Sequence, residues 1–311
     1  RSMTELEVNT EATDLVPVPD AAGATIVQDP LGKGPGHWAG GPSAALGQDG
    51  AIYLGYRFRR PFGEGRGFMN VVARSEDGER FQTLAELDRR DFNCESLERP
   101  ALVVVPGGGW RVYVSCATPG TFHWRVDVLE ASDPTRFDAR SARTVLPGDD
   151  RTGVKDPVVL WHDGLWHMWL CCHPLEDPLA TDRMWTRYGT SSDGIKWDLK
   201  DTALGPTPGQ WDARGARVTY VMVDGDRWRA YYDGRATAEE NAEELTGVAV
   251  GDSPDRLVAQ PGPVAVSPWG TRSLRYLTGV RFPDGGLRLY YEASRLDGAH
   301  DLRTEYVPPS R

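Results

Sequence analysis

The chain has 311 residues, of which 40% are hydrophobic and 26% are charged, a balance that is typical of a globular protein. Its formal net charge of −10 argues against nucleic acid and membrane surfaces as partners, because both attract basic proteins. The cysteines are too few for a disulfide framework and lack zinc-ligand spacing. The first residues lack the apolar core of a signal peptide, so a cytoplasmic protein is expected.

One short pattern recurs five times along the chain. Each copy is a glycine-containing tight turn followed by a strand in which aromatic and aliphatic residues alternate, which is typical of a β-hairpin. The copies start about 60 residues apart. They occupy residues 49–59, 107–119, 163–174, 224–235 and 284–295. An apolar strand precedes each copy, and a second tight turn follows each of the first four.

Four strands in each of five repeats predict an all-β fold, a five-bladed β-propeller with four antiparallel strands per blade. The alternative is a β-sandwich or a pair of all-β domains. The regular period favours one propeller over residues 1–311. Its blades are expected at about 37–90, 91–148, 149–206, 207–264 and 265–311.

The two ends of the chain must close the ring, because the last repeat is followed by only one more strand. Residues 1–36 are therefore expected to complete the last blade, with residues 13–19 as its outer strand. A single segment, residues 237–245, has the composition of a helix, and we expect a short helical turn within the fourth blade.

The candidate site follows from the geometry of a propeller, in which the first strand of every blade lines the central channel. Lys155 and Asp156 start such a strand, and His173 ends the strand beside it, so antiparallel pairing should bring the three together. We expect this cluster to face Glu98 and Arg99 at the channel mouth.

The blade number, the Asp-Pro start at 156–157, the turn SSDGIKW and the strand end YYDGR resemble the five-bladed glycosidase propellers of families 43, 32 and 130. The resemblance covers residues from about 36 to 311. It implies catalysis by carboxylates from the first three blades. Two such groups must flank the glycosidic bond.

Position by position, the sequence departs from that pattern. The resemblance implies one carboxylate in each of the first three blades. Gly41 stands at that position in the first blade and Arg99 in the second, so Asp156 in the third blade is the one carboxylate retained. The family-130 phosphorylases also have a lysine in the inner strand and a following histidine, which bind phosphate. The resemblance implies that Lys155 and His173 could do the same.

Three residues are predicted to be catalytic. Asp156 could act as an acid or accept a sugar hydroxyl, although an aspartate before Pro157 could also cap the turn. Glu98 could supply the partner carboxylate, with Glu95 as a weaker candidate, or could instead pair with Arg99. His173 could supply the proton that two ionised carboxylates would lack.

The remaining candidates are predicted to bind substrate. His37 and Trp38 could form a sugar-stacking pair or a packed turn, and Asp233 could face the channel or pair with Arg235. Arginines near the strand starts suggest an anionic group on the ligand, because guanidinium binds carboxylate or phosphate with two hydrogen bonds. The substrate-binding set is His37, Trp38, Glu95, Arg99, Lys155, Asp212, Arg214, Asp233 and Arg275.

The sequence thus predicts a glycoside hydrolase-like enzyme that acts on a glycoside or a sugar-containing small molecule, without a metal or other cofactor. The alternative is a repurposed propeller, either a sugar-binding protein or a phosphate-using phosphorylase-like enzyme. Turnover of simple aryl glycosides is expected to be weak or absent, because Lys155 and Arg99 should hold Asp156 and Glu98 ionised.

Overall fold

The computed structural model describes residues 7–121 and 123–311, and these residues are organised almost entirely as β-strands. The helices in this part of the chain are single 3-10 turns. They span Glu11–Asp14, Ala21–Gly23, Arg89–Phe92, Pro134–Arg136 and Ala139–Ser141. None of the helices described is long and apolar enough to cross a membrane. The four cysteines are free and buried.

Twenty strands are formed by the described residues. In chain order they are β1 (Thr25–Gln28), β2 (Trp38–Leu46), β3 (Ile52–Arg59), β4 (Gly67–Ser75), β5 (Gln82–Asp88), β6 (Ala101–Val104), β7 (Trp110–Ala117), β8 (Trp124–Ala131), β9 (Arg143–Leu146), β10 (Thr152–His162), β11 (Leu165–Pro174), β12 (Trp185–Ser191), β13 (Asp198–Leu204), β14 (Gly215–Asp224), β15 (Arg227–Arg235), β16 (Leu245–Ser253), β17 (Arg256–Ala259), β18 (Leu274–Arg281), β19 (Leu287–Ser294) and β20 (His300–Val307).

The strands form three four-stranded antiparallel sheets and one sheet of eight strands. The larger sheet has two antiparallel halves, which are joined where Trp38 of β2 pairs in parallel with His300 of β20. We number the four-stranded units in chain order. Unit I is β2–β5, unit II is β6–β9, unit III is β10–β13, unit IV is β14–β17, and unit V is β18–β20 with β1.

The hydrophobic core is divided into clusters that lie between consecutive units. Units I and II share one cluster, units II and III a second, units III and IV a third, and units IV and V a fourth. A fifth cluster joins unit V back to unit I through Tyr290 and Leu302 on one side and Leu54 and Val71 on the other. Every unit therefore packs against two others.

The strand that completes unit V is formed by a different segment of the chain from the one expected. β1 pairs antiparallel with β20 at residues 25–28, whereas residues 13–19 form part of a 3-10 turn and an irregular segment. Pro17 and Pro19 explain the difference, because proline cannot donate a ladder hydrogen bond. The segment is still packed, since Val16 is buried in the cluster between units IV and V.

Residues 237–245 do not form the expected helical turn. They make a series of bends and turns that ends where β16 starts at Leu245. Ala242 has a φ of 71°, in the left-handed region, which ends any right-handed helix at that point. The segment instead brings Glu243 and Glu244 toward the interior, where both contact cationic side chains.

Candidate functional site

A cavity of about 360 Å³ lies where the first strands of the units begin. Its floor is formed by residues at the starts of these strands, and its walls by the loops that connect the second and third strands of units I to IV. It is lined by Trp38, Arg59, Phe62, Arg66, Glu95, Glu98, Ala117, Thr121, His123, Trp124, Lys155, His173, Leu175, Thr181, Asp182, Met184, Arg217, Asn241, Ala242, Glu244, Arg275 and Tyr276.

Backbone irregularities occur at the strand starts below this cavity. The pairing of β2, β10 and β18 with the following strand shifts register between Gly40 and Ser43, between Lys155 and Val158, and between Arg275 and Thr278. Residues within these shifts have left-handed φ values, namely Gly41 (57°), Asp156 (52°) and Tyr276 (55°). Such values are uncommon for residues other than glycine and often mark functional or strained positions.

Asp156 lies beneath the cavity and is not among its lining residues. Its carboxylate accepts hydrogen bonds from the backbone N–H of Arg99 (3.2 Å), the hydroxyl of Tyr276 (3.0 Å) and Nη1 of Arg217 (3.1 Å). Its own N–H donates to Oγ of Ser115 at 2.8 Å. The side chain is fully buried, so its geometry suits a support for the floor and gives a substrate no direct access.

Glu98 is the predicted catalytic carboxylate that does line the cavity. Nε of Arg57 donates to one carboxylate oxygen, and Nη1 of Arg59 lies 3.4 Å from the other. Burial raises the pKa of Glu98, but the cations Arg57, Lys155 and Arg59 outweigh burial and bring the pKa below its usual value. Glu98 is therefore ionised at neutral pH and suits a base or nucleophile.

Lys155 and His173 also line the cavity, as expected from their places on adjacent strands. Burial and the charge of Lys155 bring the pKa of His173 well below its usual value. Nδ1 of His173 lies 3.1 Å from the carbonyl oxygen of Thr181, which can only accept, so Nδ1 carries the proton and Nε2 keeps its lone pair. The ring is neutral and cannot donate a proton from Nε2.

Glu244 is a cavity residue that the sequence analysis missed. Its Oε1 lies 3.2 Å from Arg217 and 3.4 Å from both Arg235 and Arg275. Burial raises the pKa of Glu244, but the three guanidinium groups together outweigh burial and bring the pKa below its usual value. This carboxylate is therefore ionised too. Its segment is acidic and lacks a hairpin signal, and nothing in the sequence indicates that it turns inward.

Trp38 lines the cavity, but its ring faces are largely covered. His300 stacks on it with ring centroids 5.2 Å apart and an interplanar angle of 15°. The guanidinium groups of Arg59 and Arg275 lie 4.5 and 4.6 Å from its centroid. The ring of Trp38 is therefore poorly placed for the expected sugar stacking. Trp124 also lines the cavity, with Nζ of Lys155 4.8 Å from its ring centroid.

Several predicted binding residues are not among the lining residues of the cavity. His37, the proposed partner of Trp38, lies behind it and packs against Gly32. Asp212 is buried and accepts from Tyr232 at 2.8 Å, and Arg214 forms two hydrogen bonds with Asp182. None of these three side chains lines the cavity, although Asp182, the partner of Arg214, does.

Two further predicted residues lie in the interior below the cavity. Asp233 accepts from Arg217 (2.8 Å) and the backbone N–H of Tyr276, and burial raises its pKa to about 6. Arg99 donates to the carbonyl oxygens of Pro42 and Thr219, and burial lowers its pKa to about 10. Arg99 was expected at the channel mouth, and Asp233 was expected either to face the channel or to pair with Arg235; Asp233 pairs with Arg217 instead. The sequence pattern does not resolve the depth of a side chain.

Arg275 and Glu95, two of the predicted substrate-binding residues, line the cavity. Arg275 is buried and contacts Glu292 at 2.9 Å, whereas Glu95 is exposed on the rim, 4.0 Å from Arg66. Among the residues described, no group of three or more His, Cys, Asp or Glu side chains is arranged to hold a metal ion. The cavity therefore offers two buried ionised carboxylates, a neutral histidine and a cationic wall.

No protein-family model matches the chain, and no curated protein sequence matches it. Solved structures are similar in fold. A family-43 glycoside hydrolase (subfamily 1) from Xanthomonas citri in complex with xylose superposes with a TM-score of 0.67 at 17% identity, covering 91% of this chain and 90% of that one. A thermostable family-43 glycoside hydrolase gives 0.67 at 14% identity, with 91% of each chain covered.

A β-1,2-mannobiose phosphorylase from Listeria innocua in complex with β-1,2-mannobiose is also similar, with a TM-score of 0.63 at 14% identity over 91% of this chain and 94% of that one. At these identities the likeness concerns the fold and does not extend to the reaction. The chain has the β-propeller fold of family-43 glycoside hydrolases and of related phosphorylases.

Proposed function

We propose that the chain is a carbohydrate-active, glycoside hydrolase-like protein that binds a glycoside in the central cavity. One observation carries the proposal: Glu98 and Glu244, from different parts of the ring, line one cavity in a fold that glycoside-processing enzymes share. Units I to V are the five blades of one propeller over residues 1–311, and residues 1–36 close the last blade. The closed succession of core clusters supports this reading.

In the proposed reaction Glu98 acts as base or nucleophile, because its pKa is held below its usual value. Asp156 is reassigned from catalysis to positioning, since its oxygens hold Tyr276 and Arg217 in the floor. His173 accepts hydrogen bonds from sugar hydroxyls. Glu95, the cavity carboxylate with the loosest ion pair, is the candidate for the general acid in this proposal.

The ligand of this proposal carries an anionic group, because several cations line the cavity. A second candidate is a binding protein without turnover. It is favoured by the guanidinium groups that hold Glu98 and Glu244 ionised, since a hydrolase also needs a proton donor. The phosphorylase alternative has less support, because Nε2 of His173 has no proton to offer a phosphate oxygen.

The substitution Glu98→Gln tests the proposed reaction. A panel of neutral and acidic aryl and methyl glycosides is first assayed for release of the free sugar. On any substrate that is turned over, Glu98→Gln should lower kcat by at least about a hundredfold, the usual scale for loss of a catalytic acid or base. Slow turnover is expected even for the wild-type protein.

The matched control is Glu239→Gln, on the exposed part of the loop that carries Glu244. This variant should keep the wild-type kcat. A Glu98→Gln protein that retains wild-type kcat would remove Glu98 from the mechanism. Sugar binding by isothermal calorimetry without turnover of any glycoside would favour the binding protein, and absence of both binding and turnover would refute the proposed function.

A further inference from the structure

The cations of the cavity differ in how they are paired. Arg59, Arg217 and Arg275 each lie within 3.4 Å of a carboxylate oxygen. Nζ of Lys155 has no carboxylate within 4.0 Å and no hydrogen-bond acceptor among residues 7–121 and 123–311. Nζ lies 4.8 Å from the centroid of the Trp124 ring. Burial lowers the pKa of Lys155, whereas the nearby charges of Asp156 and Glu98 raise it. Lys155 is thus a partly buried cation without a direct ion pair.

The wall around Lys155 adds further positive charge. Arg66 lies 5.8 Å from the centroid of the same Trp124 ring, with Glu95 no nearer than 4.0 Å, and Nε of Arg59 is buried without an acceptor. A cation that is taken out of water without a partner is costly. An anionic group of the ligand would remove that cost when it binds here.

The groups beside Lys155 limit the chemistry of this anion, because they accept hydrogen bonds. Glu98 is an ionised carboxylate, and Nε2 of His173 carries a lone pair whose contact in the protein is the thiol of Cys171 at 3.8 Å, a weak donor. A phosphate dianion would place only acceptor oxygens next to these acceptors. A sugar that bears one carboxylate would match the whole set, since its carboxylate pairs with the cation and its hydroxyls donate to Glu98 and His173.

We infer that the cavity selects a sugar acid, in which the carboxylate of a uronic acid-type glycoside pairs with Lys155 and neighbouring hydroxyls donate to Glu98 and His173. This inference rests on the proposed function and names its substrate class. It makes Lys155 the residue that separates acidic from neutral sugars.

The test is calorimetric titration with the methyl glycosides of glucuronic and galacturonic acid, both anomers, against the matching methyl glucosides and galactosides. At least one uronide should bind the wild-type protein about tenfold or more tightly than its neutral counterpart, and Lys155→Met should abolish that preference. Lys33→Met, at an exposed lysine with no role in the cavity, should behave as wild type.

A second measurement uses only the wild-type protein and therefore does not depend on whether the variant folds. The affinity for the uronide should fall as salt is raised, while that for the neutral sugar should change little. Equal affinities for acidic and neutral sugars would overturn the inference and leave the proposed function intact. A preference for the uronide that survives Lys155→Met would have the same consequence. Inorganic phosphate that competes with the sugar and requires Lys155 would show that the anion is phosphate. If no sugar binds, the proposed function itself fails.

Discussion

Asp156 has a left-handed backbone conformation within the register shift of β10. Its carboxylate accepts hydrogen bonds from three other units. Its partners are Arg99 in unit II, Arg217 in unit IV and Tyr276 in unit V. The Lys-Asp start of this strand therefore has a structural reason. The sequence pattern predicted that Lys155 and Asp156 would lie together at the channel mouth, but Lys155 lines the cavity and Asp156 does not. The pattern could not show that the bulge sends Lys155 into the cavity and Asp156 beneath it.

Replacing Asp156 by Asn tests this structural role. The amide keeps the shape but removes the charge that Arg217 and the Tyr276 hydroxyl contact, so the free energy of unfolding should fall by about 2 kcal/mol, the scale of a hydrogen bond to a charged group. Urea unfolding followed by tryptophan fluorescence measures the change.

The control for this prediction is Asp163→Asn, which changes the same residue type at a similar φ of 55° in an exposed turn. It should alter the free energy of unfolding by less than about 0.5 kcal/mol. Equal stability of Asp156→Asn and wild type would show that the contacts of this carboxylate are not stabilising. A large loss of kcat without loss of stability would return Asp156 to the catalytic set.

At the scale of elements, the hairpins were predictable and the joints between them were not. Glycine turns and alternating apolar residues identified the second strand of every unit, since both signals are local. The joint between β2 and β20 depends on residues 262 positions apart, Trp38 and His300. The imidazole of His300 is fully buried between Glu292 (2.5 Å) and Glu243 (2.7 Å), and this arrangement has no signature in either strand.

This joint should make stability depend on pH. Burial lowers the pKa of His300, but hydrogen bonds to Glu243 and Glu292 outweigh burial and raise the pKa above its ordinary value of 6.5. The stabilisation is therefore complete below about pH 6.5, the pKa of an unfolded histidine, and is lost as pH rises through the folded pKa. Arg57 and Arg275 also contact Glu292 and keep that carboxylate ionised throughout.

The measurement is the urea midpoint between pH 6 and pH 9. It should fall with increasing pH in the wild-type protein and should fall less in His300→Gln, which cannot carry the charge. His162→Gln, at the turn of the β10–β11 hairpin, should retain the wild-type slope. If His300→Gln and wild type have the same slope, His300 does not carry the pH dependence.

At the scale of the whole molecule, four buried ion pairs and one hydrogen bond from a backbone N–H link units I to V in a closed circuit. Each consecutive pair of units is linked by one of the following contacts: Arg57 with Glu98, Arg99 N–H with Asp156, Asp156 with Arg217, Glu244 with Arg275, and Glu292 with Arg57. Arginine suits this role because one guanidinium can bind two or three carboxylates. The circuit holds the floor of the cavity in place.

The repeat period predicted that these strand starts would meet, but not which side chains would pair. The partners are 41 residues apart in Arg57–Glu98, 61 in Arg217–Asp156 and 235 in Arg57–Glu292, so local pattern carries no information about them. The space beside Gly41 shows the consequence. The resemblance implies a carboxylate there, but a Cβ at this position would lie 3.3 Å from Arg57, which occupies the site.

Arg57→Met should open the circuit. Arg57 is fully buried and links unit I to both unit II and unit V, so its loss leaves the buried carboxylates Glu98 and Glu292 with fewer cations. Removing one partner of a buried ion pair costs about 3–5 kcal/mol, and we expect a loss of that size in urea unfolding, followed by fluorescence and far-UV circular dichroism. Arg90→Met removes an exposed pair with Asp88 and should cost less than about 1 kcal/mol. If the two variants lose the same stability, the circuit does not hold the units together, and the hydrophobic clusters between them would have to account for the closure of the ring.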